Sequence, residues 1–365
     1  MTGKRPYWPA LDGLRGLAVL LVVLSHIGLV SEKANAGYDG VVIFFVLSGF
    51  LITSVLRTSA LEGRGHLLAF YATRAVRLWP ALLLLTVVVS AIWLVQGGSP
   101  AAIGIQALLA MSYLENFFHG QHPGIVLSHT WSLCVEEQFY LLWPFVLPFV
   151  LRLQTRGRAA VIAAGILASG FIHAVLVLAG AGNQAYASLP SNAFALLAGC
   201  ALAVLPLPGL ARWWWTAAGV AGLALSLFVV PSLPMGDYLS PLTVVGSAAL
   251  LVVSLRSGDA LFGSRPFRYL GRVSYSWYLW HWPLMWFTGT LGHPVAGSLV
   301  ALGSLGVAAA STHRLEEPLR RAWRRRLAAG REARLAGSGV AAPRLTRSSG
   351  RGMRLSGWRS RRGRP

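Results

Sequence analysis

An imidazole, two adjacent carboxylates and two guanidinium groups stand inside or beside strongly apolar runs of this chain. Such groups cost free energy there unless they are partnered or used. In LDGLRGLAVLLVVLSHIGLV, residues 11–30, Asp12 and Arg15 stand at the mouth of an apolar run and His26 lies well inside it. In HTWSLCVEEQFYLLWP, residues 129–144, Glu136 and Glu137 open another. An imidazole backed by a carboxylate suits general-base work, because the carboxylate fixes the tautomer and stabilises the imidazolium. The same pair also serves simply to hold helices together. In FYATRAVRLWP, residues 70–80, Arg74 and Arg77 are three apart and so share a helix face. Paired guanidinium groups suit phosphate, or attraction to anionic lipid. In GVVIFFVLSGFLITSVLR, residues 40–57, the small Ser48 and Gly49 sit mid-run. They allow close helix packing or leave room for a thin ligand. His281, in VSYSWYLWHWPL, stands among aromatics that form an interfacial belt or line a pocket. His173 and Asn192 lie in apolar runs with no evident partner.

The elements that position these groups follow from composition. The chain has 365 residues, 55% of them hydrophobic and 12% charged, with a mean hydropathy of +0.58. Soluble domains carry roughly 25% charged residues, so this is a membrane protein's balance. Apolar runs long enough to span about 30 Å of hydrocarbon recur throughout. They predict an all-α polytopic bundle of about ten transmembrane helices, at 16–31, 40–57, 78–96, 131–151, 159–180, 187–206, 213–231, 239–256, 273–291 and 295–313. With both termini cytoplasmic, the inside segments hold nearly all the basic residues and the outside ones only Lys33. A further crossing at 101–118 would place Arg152, Arg156, Arg158 and the basic tail outside, against the positive-inside rule. That stretch is therefore expected to be re-entrant or to lie on the outer surface. No small-residue cleavage site follows the first run, so it is expected to be retained.

The net charge of +20 does not point to nucleic acid. From Arg314 onward the chain holds 16 Arg, no Lys and three Glu, a net +13 beside the last span. That suits the anionic inner leaflet and a solvated, disordered tail. Residues 1–321 are expected to form the membrane domain and 322–365 the basic cytoplasmic tail. Two cysteines, Cys134 and Cys200, both in apolar runs, support neither a disulfide framework nor a zinc site, and no metal is expected. On the sequence depths, His26 lies eleven residues beyond Arg15, about 16 Å along a helix. That places it at the same outer depth as Glu136 and Glu137, with Arg74 and Arg77 on the cytoplasmic side.

LDGLRGLAVLLVVLSH, GYDGVVIFFVLSGFLIT, FYATRAVRLWP, HTWSLCVEEQFYLLWP, GRVSYSWYLWHWPL and, more weakly, HRLEEPLRR occur in this order and cover most of residues 8–321. Together they resemble the acyltransferase-3 family of integral membrane O-acyltransferases. The family's Arg-ten-residues-His pattern falls on Arg15 and His26, its Arg-x-x-Arg pair on Arg74 and Arg77, and its glutamate on Glu136. The resemblance implies transfer of an acyl group, commonly from cytoplasmic acetyl-CoA, to a hydroxyl of a glycan, lipid-linked sugar or small-molecule metabolite. It implies a catalytic set of His26, Glu136 and Arg15. Arg74, Arg77 and Ser48 would hold the acyl-CoA, and Glu137, Tyr140, Trp131 and His281 the acceptor. Where relatives often place Arg or Asp, this chain has Asn192, which leaves the acceptor open. Many relatives carry a fused hydrolase-like domain where this chain has its basic tail, so it is expected to act alone or with a separate partner. The high Ala, Gly and Arg content suggests a GC-rich bacterial genome, and the expected location is the bacterial inner membrane, as a multi-pass protein. A transporter or lipid flippase is the competing reading, since intramembrane His and Glu also mark proton and substrate paths. The internal repeats and broken helices common in such folds are not evident. A non-catalytic scaffold would not explain why the polar residues concentrate.

Overall fold

In a computed structural model the apolar runs become helices, and no strand occurs among the described residues. The structure describes residues 8–29, 36–59, 65–121, 126–206, 240–256 and 262–337, together with 217, 221, 222 and 224. In order the helices are α1 (Pro9–His26), α2 (Ala36–Ser59), α3 (Gly65–Val95), α4 (Pro100–Met111), α5 (Trp131–Arg152), α6 (Thr155–Leu178), α7 (Gly182–Ala187) and α8 (Leu189–Val204). They continue with α9 (Ser240–Arg256), α10 (Arg265–Thr288), α11 (Pro294–Ser311), a π-turn at Thr312–Glu316 and α12 (Glu317–Gly337). The chain divides into a unit of residues 1–320 and a unit of 321–365. In the second, the described part is helical.

Seven helices among the described residues are long and apolar enough to cross a membrane: Pro9–His26, Gly37–Arg57, Leu67–Val95, Ser128–Arg152, Thr155–Leu178, Gly182–Val204 and Pro294–Gly330. The chain is a polytopic helical membrane protein. Its outward surface confirms the solvent it was built for. On α5 the exposed residues are Leu141, Leu142, Phe145, Val146 and Phe149, while Val135, Phe139, Trp143, Leu147 and Val150 face the interior. That is an apolar stripe on both sides, as lipid requires.

Two sequence expectations change. The run at 273–291 is part of a helix that begins at Arg265 and, dense in Trp, Tyr, Ser and His, is not among the seven apolar ones. The run at 239–256 is helical over Ser240–Arg256. The helix expected at 78–96 begins at Gly65 instead, so Arg74 and Arg77 lie within it and not ahead of it. The span expected at 213–231 lies outside the described residues. The stretch 101–118 is not one continuous helix. At 12 residues α4 is about 18 Å long, and it gives way to a short 3-10 turn at Glu115–Phe117.

Glycines set the distances between helices. A Cβ on Gly271 would stand 1.6 Å from the Asp12 carbonyl oxygen, and one on Gly16 would stand 2.4 Å from that of Phe267, so α1 and α10 touch backbone to backbone. They run parallel, and ten residues beyond these glycines, about 15 Å along each helix, stand His26 and His281. Helix α2 runs antiparallel to α1, with Gly37 against Ser25 and Gly40 against Ala18. Between α2 and α8, a Cβ on Gly49 would stand 1.9 Å from the Leu196 carbonyl oxygen and one on Gly199 would stand 2.0 Å from that of Val46. Gly49 thus serves close packing.

Candidate active site

The end of α1 is fixed by its cap. Gly28 adopts φ +72°, the left-handed conformation favoured after a helix C-terminus, and the Gly292 N–H donates to the His26 carbonyl at 2.9 Å. The His26 ring, half-buried, has its Nδ1 2.9 Å from Nε2 of His281 and meets the Trp282 ring edge-on at 4.7 Å. His281 is fully buried, and its Nδ1 lies 2.7 Å from the Tyr278 carbonyl and 3.1 Å from that of Trp277. Carbonyls only accept, so His281 Nδ1 carries a proton. With His281 neutral, its Nε2 accepts from His26 Nδ1–H, and the His26 lone pair is on Nε2. A third histidine completes the layer. Pro283 in α10 lacks the N–H that would bond the carbonyl four residues back. That carbonyl, of Leu279, is 3.1 Å from His129 Nε2 instead, and the His129 ring lies edge-on to His281 at 6.0 Å.

The charged residues gather in a separate cavity of about 70 Å³, lined by Arg15, Ser48, Arg74, Arg77, Tyr113, Glu136, Glu137 and Tyr140, among others. The Arg74 guanidinium bonds Glu137 through both Nε and a terminal nitrogen, lies 3.8 Å from Glu136, and stacks 3.4 Å above the Tyr140 ring. Glu136 accepts a 2.6 Å hydrogen bond from Ser48. Arg15 lies 3.8 Å from Asp12. Arg77 has no carboxylate within ion-pair distance among the described residues, which leaves its charge for an anion.

A second cavity, around His26 and outer on the topology expected from the sequence, is lined by Val22, Val41, His119, Ser128, His129, Trp131, Tyr186, Tyr278 and Trp282. Val41 and Tyr278 also line the charged cavity, so the two adjoin across these side chains. The Tyr278 hydroxyl donates to the His129 carbonyl at 2.6 Å and accepts from Ser132 at 2.8 Å. In the connection between α4 and α5, burial pushes the Glu115 carboxyl up to about 7 and lowers His119. A neutral His119 ring therefore faces the outer cavity at neutral pH.

The predicted residues are thus brought together in two groups. Arg15, Ser48, Arg74, Arg77, Glu136, Glu137 and Tyr140 share one cavity, and His26 and Trp131 share the other. The expected His26–Glu136 pair is not made. Glu136 sits in α5 about a turn and a half past Trp131, drawn to Ser48 and Arg74, and His281 takes its place against His26. Glu137 and Tyr140, expected at the acceptor, hold Arg74 and line the charged cavity. His281, also expected there, is fully buried against His26. His173 and Asn192 do have partners. His173 Nδ1 is 2.8 Å from Ser191 Oγ, and Asn192 accepts from Tyr38 at 2.7 Å while donating to the carbonyls of Tyr186 and Ser188. Asn192 is buried by these contacts. Sequence reasoning missed His129, Tyr278 and Tyr113. The first two stand within quoted motifs, and their signal was a polar side chain in an apolar context. Among the described residues no cluster of His, Cys, Asp or Glu could hold a metal.

Residues 8–312 match the family described as an acyltransferase domain. Relatives include YrhL of Bacillus subtilis, 31% identical over 87% of this chain and 56% of the relative. The peptidoglycan O-acetyltransferase OatA of Listeria monocytogenes is 31% identical over 78% of this chain and 50% of the relative. The O-acetyltransferase OatA of Staphylococcus aureus is 30% identical over 78% and 51%. The chain spans about half the length of these curated relatives. No solved structure matches it.

Proposed function

The chain belongs to the acyltransferase 3 family, and we propose that it moves an acetyl group from cytoplasmic acetyl-CoA to a hydroxyl of a cell-wall glycan or lipid-linked sugar. The observation that carries this reading is the hydrogen-bond chain from the Tyr278 carbonyl through His281 to His26. It leaves the base lone pair on His26 Nε2, on a ring that lines the outer cavity. The adjoining cavity, with Arg77 free of carboxylates, suits the phosphates of coenzyme A. A thin pantetheine arm would pass between Val41 and Tyr278 to bring its thioester to His26.

In the reaction, His26 Nε2 takes the proton of the acceptor hydroxyl as its oxygen attacks the thioester carbon. The imidazolium that forms keeps its Nδ1–H on His281. As the tetrahedral intermediate collapses, the carbon–sulfur bond breaks and the CoA sulfur leaves with the proton from His26. The products are an O-acetyl ester and free CoA. Direct transfer needs no acyl-enzyme. A covalent acyl-histidine would instead give ping-pong kinetics.

That the named relatives include peptidoglycan O-acetyltransferases supports a glycan acceptor. The test compares wild-type, gene-deleted and complemented cells for alkali-labile acetate on cell-wall glycan, lipid-linked sugars and secreted metabolites. One acetylated species should vanish on deletion and return on complementation. Membrane vesicles supplied with radiolabelled acetyl-CoA should pass label to that same species. Unchanged acetylation in every fraction would refute the reading.

A further inference from the structure

Tyr113 stands out on two independent counts. Among the described residues it is the non-glycine residue with a positive φ, at +57°, a conformation that costs a residue with a Cβ free energy and persists only where its surroundings enforce it. Its carbonyl accepts from Gln138 Nε2 at 2.9 Å, and the Gln138 amide is itself held by Asn116 at 2.8 Å. The turn is therefore tied to α5 and holds the side chain against the arginine-lined cavity. The phenolic oxygen is buried there with no hydrogen-bond partner among the described residues.

The other hydroxyls lining that cavity are engaged. Ser48 donates to Glu136, Tyr275 to the Leu78 carbonyl, Tyr278 to the His129 carbonyl and Ser274 to the Gly271 carbonyl. Ser132 bonds Tyr278 and Tyr140 donates to the Ser48 carbonyl. A buried hydroxyl without a partner destabilises the free protein, and strain of this kind clusters where ligands are clamped.

We infer that the Tyr113 hydroxyl is a donor-recognition group, giving its hydrogen bond to an oxygen of the acyl-CoA seated on Arg77. This rests on reading the arginine-lined cavity as the acyl-CoA site. Tyr113 binds; the proton transfers of the reaction stay with His26.

The test uses the full-length protein in nanodiscs, with Tyr113→Phe, which keeps the ring and the backbone strain. Without ligand the variant should melt at or above the wild-type temperature, because the hydroxyl it loses has no partner to miss. Its dissociation constant for CoA should rise about tenfold, the loss expected for one hydrogen bond to a ligand. In vesicles, KM for acetyl-CoA should rise about tenfold, with kcat at saturation within about twofold. A variant that binds CoA as wild type does would overturn the inference while leaving the cavity's assignment standing. A variant markedly less stable than wild type would also overturn it, since the hydroxyl would then be a structural bond. Wild-type protein that binds no CoA would bring down the donor reading of the cavity, and this inference with it.

Discussion

If His281 fixes the tautomer of His26, removing its ring nitrogens should slow transfer without weakening either substrate. In the resting site the 2.9 Å contact joins two neutral rings, worth about 1 kcal/mol net. Once His26 has taken the proton the bond is charge-assisted, worth about 1.5–3 kcal/mol. The difference, about 0.5–2 kcal/mol, appears in the barrier, a factor of about 2–30 in kcat at 1.36 kcal/mol per tenfold. Loss of the tautomer preference adds to this. It should stop well short of the ~10⁴ seen when a protease triad loses its carboxylate, because His281 is a neutral partner. His281→Phe should therefore lower kcat about tenfold to a hundredfold, with KM for acetyl-CoA unchanged. His281→Gln, whose amide oxygen accepts from His26 Nδ1, should recover part of the loss. The assay is initial-rate label transfer from acetyl-CoA in membrane vesicles, with the pH profile recorded for each variant. Glu136→Gln is the control, since Glu136 bonds Ser48 and not His26. It should leave the apparent pKa of kcat in place. A full-rate His281→Phe enzyme, or a profile that moves with Glu136→Gln and not with His281, would refute the argument.

The two arginines should separate in titration and melting experiments. Arg77→Lys should weaken CoA binding about tenfold at unchanged stability, since lysine keeps the charge but loses the fork. Arg74→Lys should mainly lower the melting temperature, because lysine keeps the charge beside Glu137 but cannot reproduce the two-nitrogen contact that Arg74 makes with it. Gly271→Ala should abolish accumulation of folded protein on size-exclusion chromatography, because its Cβ would meet the Asp12 carbonyl at 1.6 Å. Deletion of residues 325–365 should leave the rate of transfer intact and reduce only binding to anionic lipid, at about 1 kcal/mol per basic residue near the surface. Loss of transfer by a properly inserted truncation would place the tail in the site.

The residues gathered in the two cavities were legible because an ionisable side chain in an apolar run is conspicuous. What sequence could not supply was depth. Hydropathy ended the third span at Arg77, as though arginine must stand in water, and so put Arg74 on the opposite side of the bundle from Glu137. The two are bonded, and α3 begins at Gly65. A boundary drawn where charge begins assumes that the charge is unpaired; a carboxylate on another helix, far off in sequence, moves it by several turns. The same error produced the His26–Glu136 pair. Both were assigned one depth by counting from charges, whereas Glu136 follows Arg74 into the charged cavity and leaves the histidines to one another. His281 was visible all along, but its partner was set by Gly16 and Gly271, each ten residues before its histidine, and a packing register between two glycines has no hydropathy signal. Moving α3 does not disturb the orientation deduced from charge. With Arg74 and Arg77 removed from the inside tally, Arg57, Arg64, Arg152, Arg156, Arg158, Arg265, Arg268 and Arg272 still stand against Lys33. On the ten-span reading, that count would still put the arginine-lined cavity at the cytoplasmic end.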